Sequence, residues 1–137
     1  MGRIPTSARR AARERAVQCL FGLDFTNNDV GEALALFWES TPARDAVREY
    51  AEVLVLGVME NLAELDATIV TALDNWTPER VGRIERNAIR VALYEMRHVN
   101  DVDDGVAINE AIEVARRFGS DEAPRFVNAV LDRLKKG

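Results

Sequence analysis

The chain has very little of the residues that build disulfides, metal sites and membrane spans. Its 137 residues include one cysteine, Cys19, and one histidine, His98. A single cysteine cannot close an intrachain disulfide and argues against a zinc site. No apolar run reaches the roughly 18 residues of a membrane span, and the arginine-rich start lacks the apolar segment of a signal peptide. We therefore predict a soluble, cytoplasmic protein without metal or cofactor.

Residue combinations that carry catalysis are equally scarce. A catalytic triad would depend on His98, which falls near a predicted helix end where a cation is favourable in any case. Cys19 lies in an apolar helical pattern, which favours a buried and inert thiol. Neither GxGxxG nor GxxxxGK occurs, and the cluster Asp101, Asp103 and Asp104 lacks the remaining positions of a calcium loop. The sequence therefore predicts that the chain is not an enzyme.

The hydrophobic residues recur at helical spacing, and no segment alternates as a strand does. Helices are predicted over about 5–23, 30–39, a long kinked pattern from 40 to 76, 78–97, 106–118 and a last segment ending near 134. The helix over 78–97 is apolar over more than half its circumference, so we place it at the centre of the fold. The length suits one compact domain or two tightly joined halves. The sequence predicts an all-α fold.

Polar residues mark the predicted helix ends. The cluster that ends at Asp29 has the chemistry of a helix cap. Thr77 is the predicted N-cap and Pro78 the first residue of the central helix. Gly119 is the predicted C′ residue of the helix before it, and Ser120 the cap of the last helix.

Charge is distributed unevenly along the chain. The net charge of −5 alone argues against nucleic acid, but residues 1–23 hold five arginines against one glutamate. Residues 24–79 hold two basic and twelve acidic side chains, and residues 80–137 hold eleven basic and ten acidic ones. Such a dipolar chain can present a basic face to a polyanion and an acidic face to a basic protein.

Arg9, Arg10 and Arg13 cluster on one side of the first helix. Cations there oppose the helix dipole and repel one another, and a phosphate backbone would relieve both penalties. This pattern indicates binding to RNA or DNA. A solvated face or a frayed arm is the alternative.

A second candidate surface combines Arg116, Arg117 and Phe118 with Arg125 and Phe126. Two rings beside arginines could stack unpaired bases, as in readers of single-stranded RNA. Core packing explains both rings as well, and from these residues alone it is the better interpretation.

The sequence also contains longer motifs, which are spread from the first predicted helix to the last. The chain contains ARRAARERAVQCLF at 8–21, IERNAIRVALYEM at 84–96, VAINEAIEVA at 106–115, and FGS with RFVNAVLD at 118–120 and 125–132. In this order they resemble the motifs of the Nus factor B (NusB) family, which has an arginine-rich first helix, an ER-x-I/L-R-x-A-x-YE helix, VAINEAVELA and FGS…FVNxVLD. The resemblance spans essentially the whole chain.

The resemblance implies two packed helical bundles with about six to seven helices, residues 1–76 and 77–137. It implies a factor that binds boxA RNA of ribosomal RNA leaders together with a small-ribosomal-subunit protein, NusE. The pair joins an RNA polymerase complex that suppresses termination. The same fold occurs as the N-terminal domain of a ribosomal RNA cytosine methyltransferase. Because 137 residues leave no room for that enzyme's catalytic domain, the free-standing factor is favoured.

Position by position, the resemblance assigns residues to two surfaces. The RNA contacts would be Arg9, Arg10, Arg13, Phe118, Arg125 and Phe126, and the contacts to the partner protein would be Phe21, Glu79 and Glu85. The chain departs from the common pattern at Ala11, where many members have a basic residue, and at Phe21, where Tyr is common. A protein-interaction module and a homodimer remain open as alternatives.

Overall fold

The computed structural model describes residues 6–73 and 81–135, and every regular element within these ranges is an α-helix. The helices are α1 (Thr6–Leu23), α2 (Val30–Ser40), α3 (Asp45–Glu60), α4 (Leu62–Val70), α5 (Arg83–His98), α6 (Asp104–Phe118) and α7 (Ala123–Leu134). The predicted all-α fold is confirmed. None of the helices in these ranges is long and apolar enough to cross a bilayer.

Two predicted breaks are found close to where the sequence places them. Asp29 caps α2 as predicted, since its carboxylate accepts hydrogen bonds from the amides of Gly31 and Glu32 at 3.0 and 3.3 Å. The kink predicted within the pattern from 40 to 76 lies at Asn61, between α3 and α4. The Asn61 side chain donates to the carbonyl of Gly57 at 2.8 Å and so satisfies one of the last carbonyls of α3.

The predicted ends of the last three helices need correction. Thr77 and Pro78 lie outside the described residues, but a helix running on from Pro78 is wrong, because Gly82 is extended and α5 begins at Arg83. Gly119 is extended rather than left-handed, with φ −98° and ψ −171°. A Cβ on Gly119 would lie 2.8 Å from the Ala115 carbonyl oxygen and 2.8 Å from the Ala123 Cβ, so lack of space explains this glycine.

Ser120 does not cap the last helix. Its carbonyl accepts a hydrogen bond from the Ala123 amide at 3.0 Å, and the residue before α7 is Glu122, which makes no side-chain cap. Pro124 stands in the first turn of α7, where its missing N–H costs nothing.

Helix α5 is the central element, as predicted. It packs against α1, α3, α4, α6 and α7, and its buried residues include the polar side chains of Asn87, Arg90 and Glu95. Buried polar groups of this kind need partners inside the protein, and each of the three has them. The predicted division between residues 76 and 77 falls outside the described ranges and stays a prediction.

Close helix contacts depend on small residues. In α1, Ala8, Ala12 and Ala16 are spaced by four and almost fully buried, which lets this helix lie close to its main neighbour, α3. In α3, Gly57 faces the ring of Tyr94 on α5, and an added Cβ would overlap that ring. The core is one continuous cluster that joins residues from all seven described helices.

Cys19 is buried, as predicted, and this has a consequence at alkaline pH. Burial, aided by Glu52, raises the pKa of the thiol from 9.0 to about 11. The folded state thus holds the thiol proton more tightly than the unfolded state, so this stabilisation is present below pH 9 and is lost as the pH rises towards 11. Between those limits wild type should lose about 2 kcal/mol more unfolding free energy than Cys19→Ala. Urea titrations at several pH values measure this, and equal losses in both proteins would contradict it.

Candidate nucleic-acid interface

The three clustered arginines of α1 are held by carboxylates from distant parts of the chain. Arg10 forms a two-point contact with Glu110 of α6, Nε to Oε1 at 3.0 Å and Nη2 to Oε2 at 3.1 Å. Arg9 forms a two-point contact with Asp101 through Nη1 and Nη2, at 3.2 and 3.0 Å, and its guanidinium lies 4.8 Å from the centre of the Tyr50 ring. These contacts neutralise the repulsion that the sequence pattern predicts.

Arg13 belongs to a buried network. Its Nε donates to both oxygens of Glu95 at 2.9 and 3.0 Å, and its Nη1 donates to Glu110 at 3.3 Å. The Tyr50 hydroxyl donates to the second oxygen of Glu95 at 2.5 Å. Glu95 is fully buried and Arg13 is 4% exposed. The network joins α1, α3, α5 and α6.

The protonation states of this network follow from its geometry. Burial lowers the pKa of Arg13, but the hydrogen bond and the charge of Glu95 more than reverse this, so the pKa is raised. Burial, together with Glu95, raises the pKa of Tyr50, so its hydroxyl stays protonated and can donate. The hydrogen bond to Glu110 raises the pKa of Arg10.

The placement of Arg13 corrects one prediction from the sequence. Its guanidinium is bound to Glu95 and Glu110 and its side chain is only 5% exposed, so a phosphate could reach it only by disturbing this buried network. Arg10 lies three residues before Arg13 on α1, and its side chain is 66% exposed. Arg9 is intermediate, with its side chain 11% exposed. The three arginines therefore differ in role, although their spacing along the helix does not distinguish them.

A shallow groove of about 880 Å³ joins the two surfaces that the sequence singles out separately. It runs over α1, α6 and the start of α7, and its charged lining consists of Arg10, Arg116, Arg125, Glu110, Glu113, Asp121 and Glu122. Arg116 makes an ion pair with Glu113 at 3.4 Å. Arg125 is exposed and forms no ion pair with any side chain in the described ranges. The groove therefore brings arginines from three helices together, alongside carboxylates.

Phe118 and Phe126 are half-buried and pack against the core. The Arg117 guanidinium lies 5.2 Å from the Phe118 ring centre, and Arg117 is anchored by Glu14 at 2.9 and 3.0 Å. Phe126 lines a separate pocket of about 390 Å³ beside Arg125. Each of the two rings is therefore partly packed against the core and partly exposed to solvent.

Two of the residues assigned to a partner protein, Phe21 and Glu85, lie at two different places on the surface. Phe21 is 37% exposed and packs edge to face with Phe25, at 5.2 Å between ring centres. Glu85 lines the same pocket as Phe126. Glu79 lies outside the described residues. The sequence reasoning missed Phe25, which is 61% exposed with Arg83 stacked 4.4 Å from its ring centre; its spacing of four from Phe21 is the signal that could have found it.

Within the described ranges, no group of three or more His, Cys, Asp or Glu side chains is arranged to hold a metal ion. The fold and the groove define an all-helical protein with a charged surface, suited to an extended ligand rather than to a small one.

Comparisons with known proteins agree on one family. The model of the NusB family matches residues 10–136. The transcription antitermination protein NusB of Sorangium cellulosum is 40% identical over 127 residues, which cover 93% of this chain and 91% of that protein. NusB of T. maritima, solved in space group P3121, superposes with a TM-score of 0.81 at 32% identity, covering 92% of this chain and 89% of that one.

A further solved structure shows the same fold. A chain from the crystal structure of antitermination factors NusB and NusE in complex with dsRNA has a TM-score of 0.85 at 24% identity, covering 95% of this chain and 97% of that chain. The family model and the curated relatives together decide the assignment. The chain belongs to the NusB family.

Proposed function

We propose that this chain is a cytoplasmic, RNA-binding transcription antitermination factor that works by binding and not by catalysis. Its RNA would be the boxA element of ribosomal RNA leaders, bound together with the small-ribosomal-subunit protein NusE within the RNA polymerase antitermination complex. The observation that supports this most is the groove that Arg10, Arg116 and Arg125 line together.

The arginines of the groove are the groups expected to bind an RNA backbone. Guanidinium groups bind phosphates through paired hydrogen bonds, and such contacts position an RNA without specifying its sequence. Arg10 and Arg125 are the exposed arginines among the predicted contacts, and Arg9 would contribute at the edge. Phe118 and Phe126 keep accessible ring surface on which unpaired bases could stack. Phosphate binding would thus come from the arginines and base preference from the aromatic rings.

The partner protein would bind elsewhere on the chain. Phe21 and Phe25 form an exposed aromatic pair, a residue type enriched at protein interfaces. Residues 24–79 carry the acidic excess of the chain, which would steer a basic ribosomal protein towards this side. Glu85 would add a carboxylate where the partner surface meets the RNA surface, since it lines the same pocket as the predicted RNA contact Phe126.

The test uses fluorescence anisotropy of a labelled boxA-type RNA, with and without NusE. Arg10→Ala/Arg125→Ala should weaken RNA binding by about tenfold or more, because two charge-assisted contacts are lost. With about three phosphate contacts, log K for wild type should fall with log salt at a slope near −2, and the variant should lose about two thirds of that slope. Arg13 is left intact because its loss would disturb the fold.

The matched control is Arg44→Ala/Arg48→Ala, which removes the same charge from exposed arginines outside the groove. It should keep the salt slope of wild type. If both double variants lose affinity equally, the groove is not the RNA site. If NusE binds but RNA affinity is negligible with and without it, the chain is a protein-interaction module, which the exposed Phe21–Phe25 pair favours as the second candidate. A sedimentation series over concentration tests the homodimer.

A further inference from the structure

Glu110 joins an exposed arginine to a buried one. Its Oε1 accepts hydrogen bonds from Arg10 Nε at 3.0 Å and from Arg13 Nη1 at 3.3 Å, and its Oε2 accepts from Arg10 Nη2 at 3.1 Å. The Arg10 side chain is 66% exposed, whereas those of Arg13 and Glu110 are 5% and 11% exposed. One carboxylate therefore connects the solvent side of the cluster with the core.

The contact occupies one of the two donor forks of Arg10 that a phosphate could use. Nε and Nη2 of a guanidinium form a fork that fits two oxygens of a carboxylate or of a phosphate equally well. In this protein both donors of Arg10 are already bound to Glu110. A phosphate that takes the same fork must displace the carboxylate.

The geometry keeps the free-energy cost of this displacement low. Arg10 is solvent-exposed, so its side chain can turn away from Glu110 and stay hydrated. Glu110 would keep its hydrogen bond from Arg13, and Arg13 would keep both of its bonds to Glu95, at 2.9 and 3.0 Å. No buried charge loses its last partner, which is the condition that makes breaking a buried ion pair costly.

We propose that Glu110 is an internal competitor of RNA at Arg10, a role that rests on the RNA-binding function proposed above. In the free protein Glu110 holds the phosphate-binding fork of Arg10, and in the complex a phosphate replaces it while Glu110 stays fixed to Arg13. An isolated anion gains too little to displace the carboxylate. An RNA that also contacts Arg116 and Arg125 gains enough, so the competition selects extended polyanions.

The experiment measures boxA-type RNA affinity for Glu110→Gln by fluorescence anisotropy, in wild-type and Arg10→Ala backgrounds. Glu49→Gln is the matched control, since it removes the same charge from an exposed position on α3 that lies outside the groove and has no hydrogen bond to Arg10. Glu110→Gln should bind RNA about threefold or more tighter than Glu49→Gln, in line with the worth of an exposed ion pair. In the Arg10→Ala background the two variants should bind alike, because the competition acts only through Arg10.

Glu110→Asp separates geometry from charge, since it keeps the charge but is too short to span the fork and reach Arg13; it should also bind RNA more tightly than wild type. Circular dichroism melts verify that each variant folds. An affinity for Glu110→Gln equal to or weaker than that of Glu49→Gln overturns the proposal, and a weaker one means that Glu110 orients Arg10 for RNA. If neither wild type nor Glu110→Gln binds RNA, the proposed function fails together with this role.

Discussion

Arg13→Met should lower the free energy of unfolding by about 3–5 kcal/mol, the usual cost of removing one partner of a buried ion pair. Glu95 is fully buried, and without Arg13 it would keep only the hydrogen bond from the Tyr50 hydroxyl. A carboxylate left in this position has lost its counter-charge and cannot regain water. Urea denaturation followed by circular dichroism measures the loss, which should be smaller at mildly acidic pH because a neutral carboxyl group is less costly to bury.

The control is Arg10→Met, the same substitution on the same helix against the same Glu110. Its side chain is exposed, so we expect little change in stability. A second variant, Arg13→Met/Glu95→Gln, removes both charges and leaves an acceptor for Tyr50, and it should recover most of the loss. Equal stabilities for Arg13→Met and Arg10→Met would show that the buried pair does not hold the helices together.

The helices were predictable because helical periodicity is a local property of the sequence. The stripe on α5 even indicated its central position, since an apolar arc that wide needs neighbours on several sides. The helix ends were harder. Position 119 needs glycine because Ala115 and Ala123 leave no room for a side chain, and its chain neighbours alone do not reveal a steric limit imposed by the next helix.

The site was predictable in its residue types and less so in its connections. Arg10 and Arg125 were both singled out, but on separate surfaces, and only the packing of α1 and α7 against α6 brings them into one groove. The partners of the arginines lie far away in sequence: Arg13 and Glu95 are 82 positions apart, and Arg10 and Glu110 are 100 apart. Spacing within one helix shows that charges are neighbours and says nothing about what neutralises them.

Arg90→Met should produce the second large loss, roughly 2–4 kcal/mol, somewhat less than for Arg13 because one of its partners is partly hydrated. Arg90 is 7% exposed. Its Nε and Nη2 donate to the two oxygens of Asp66 on α4, both at 2.8 Å, and its Nη1 donates to Asn87 at 3.0 Å. Asn87 in turn donates to Asp24, just after α1, at 2.9 Å.

The matched control is Arg97→Met, the same change at an exposed position in the last turn of α5, which should stay within about 0.5 kcal/mol of wild type. Asp66→Asn keeps a hydrogen-bond acceptor on α4 but removes its charge, and its free energy of unfolding should fall by less than that of Arg90→Met. If the free energy of unfolding falls equally in Asp66→Asn and Arg90→Met, the ion pair with Asp66 accounts for the whole effect and the hydrogen bonds through Asn87 to Asp24 contribute nothing.

The two buried arginines hold different helices to α5, and hydrogen exchange should separate them. Arg90 ties α5 to α4 and, through Asn87, to the segment that follows α1, so Arg90→Met should speed amide exchange first in α4 and around Asp24. Arg13 ties α5 to α1 and α6, so Arg13→Met should speed exchange in those helices instead. Because α1 and α6 carry the groove, Arg13→Met should also weaken RNA binding, whereas Arg90→Met should leave the groove assembled. Identical exchange patterns in the two variants would mean that the helices open as a single unit and that neither network acts locally.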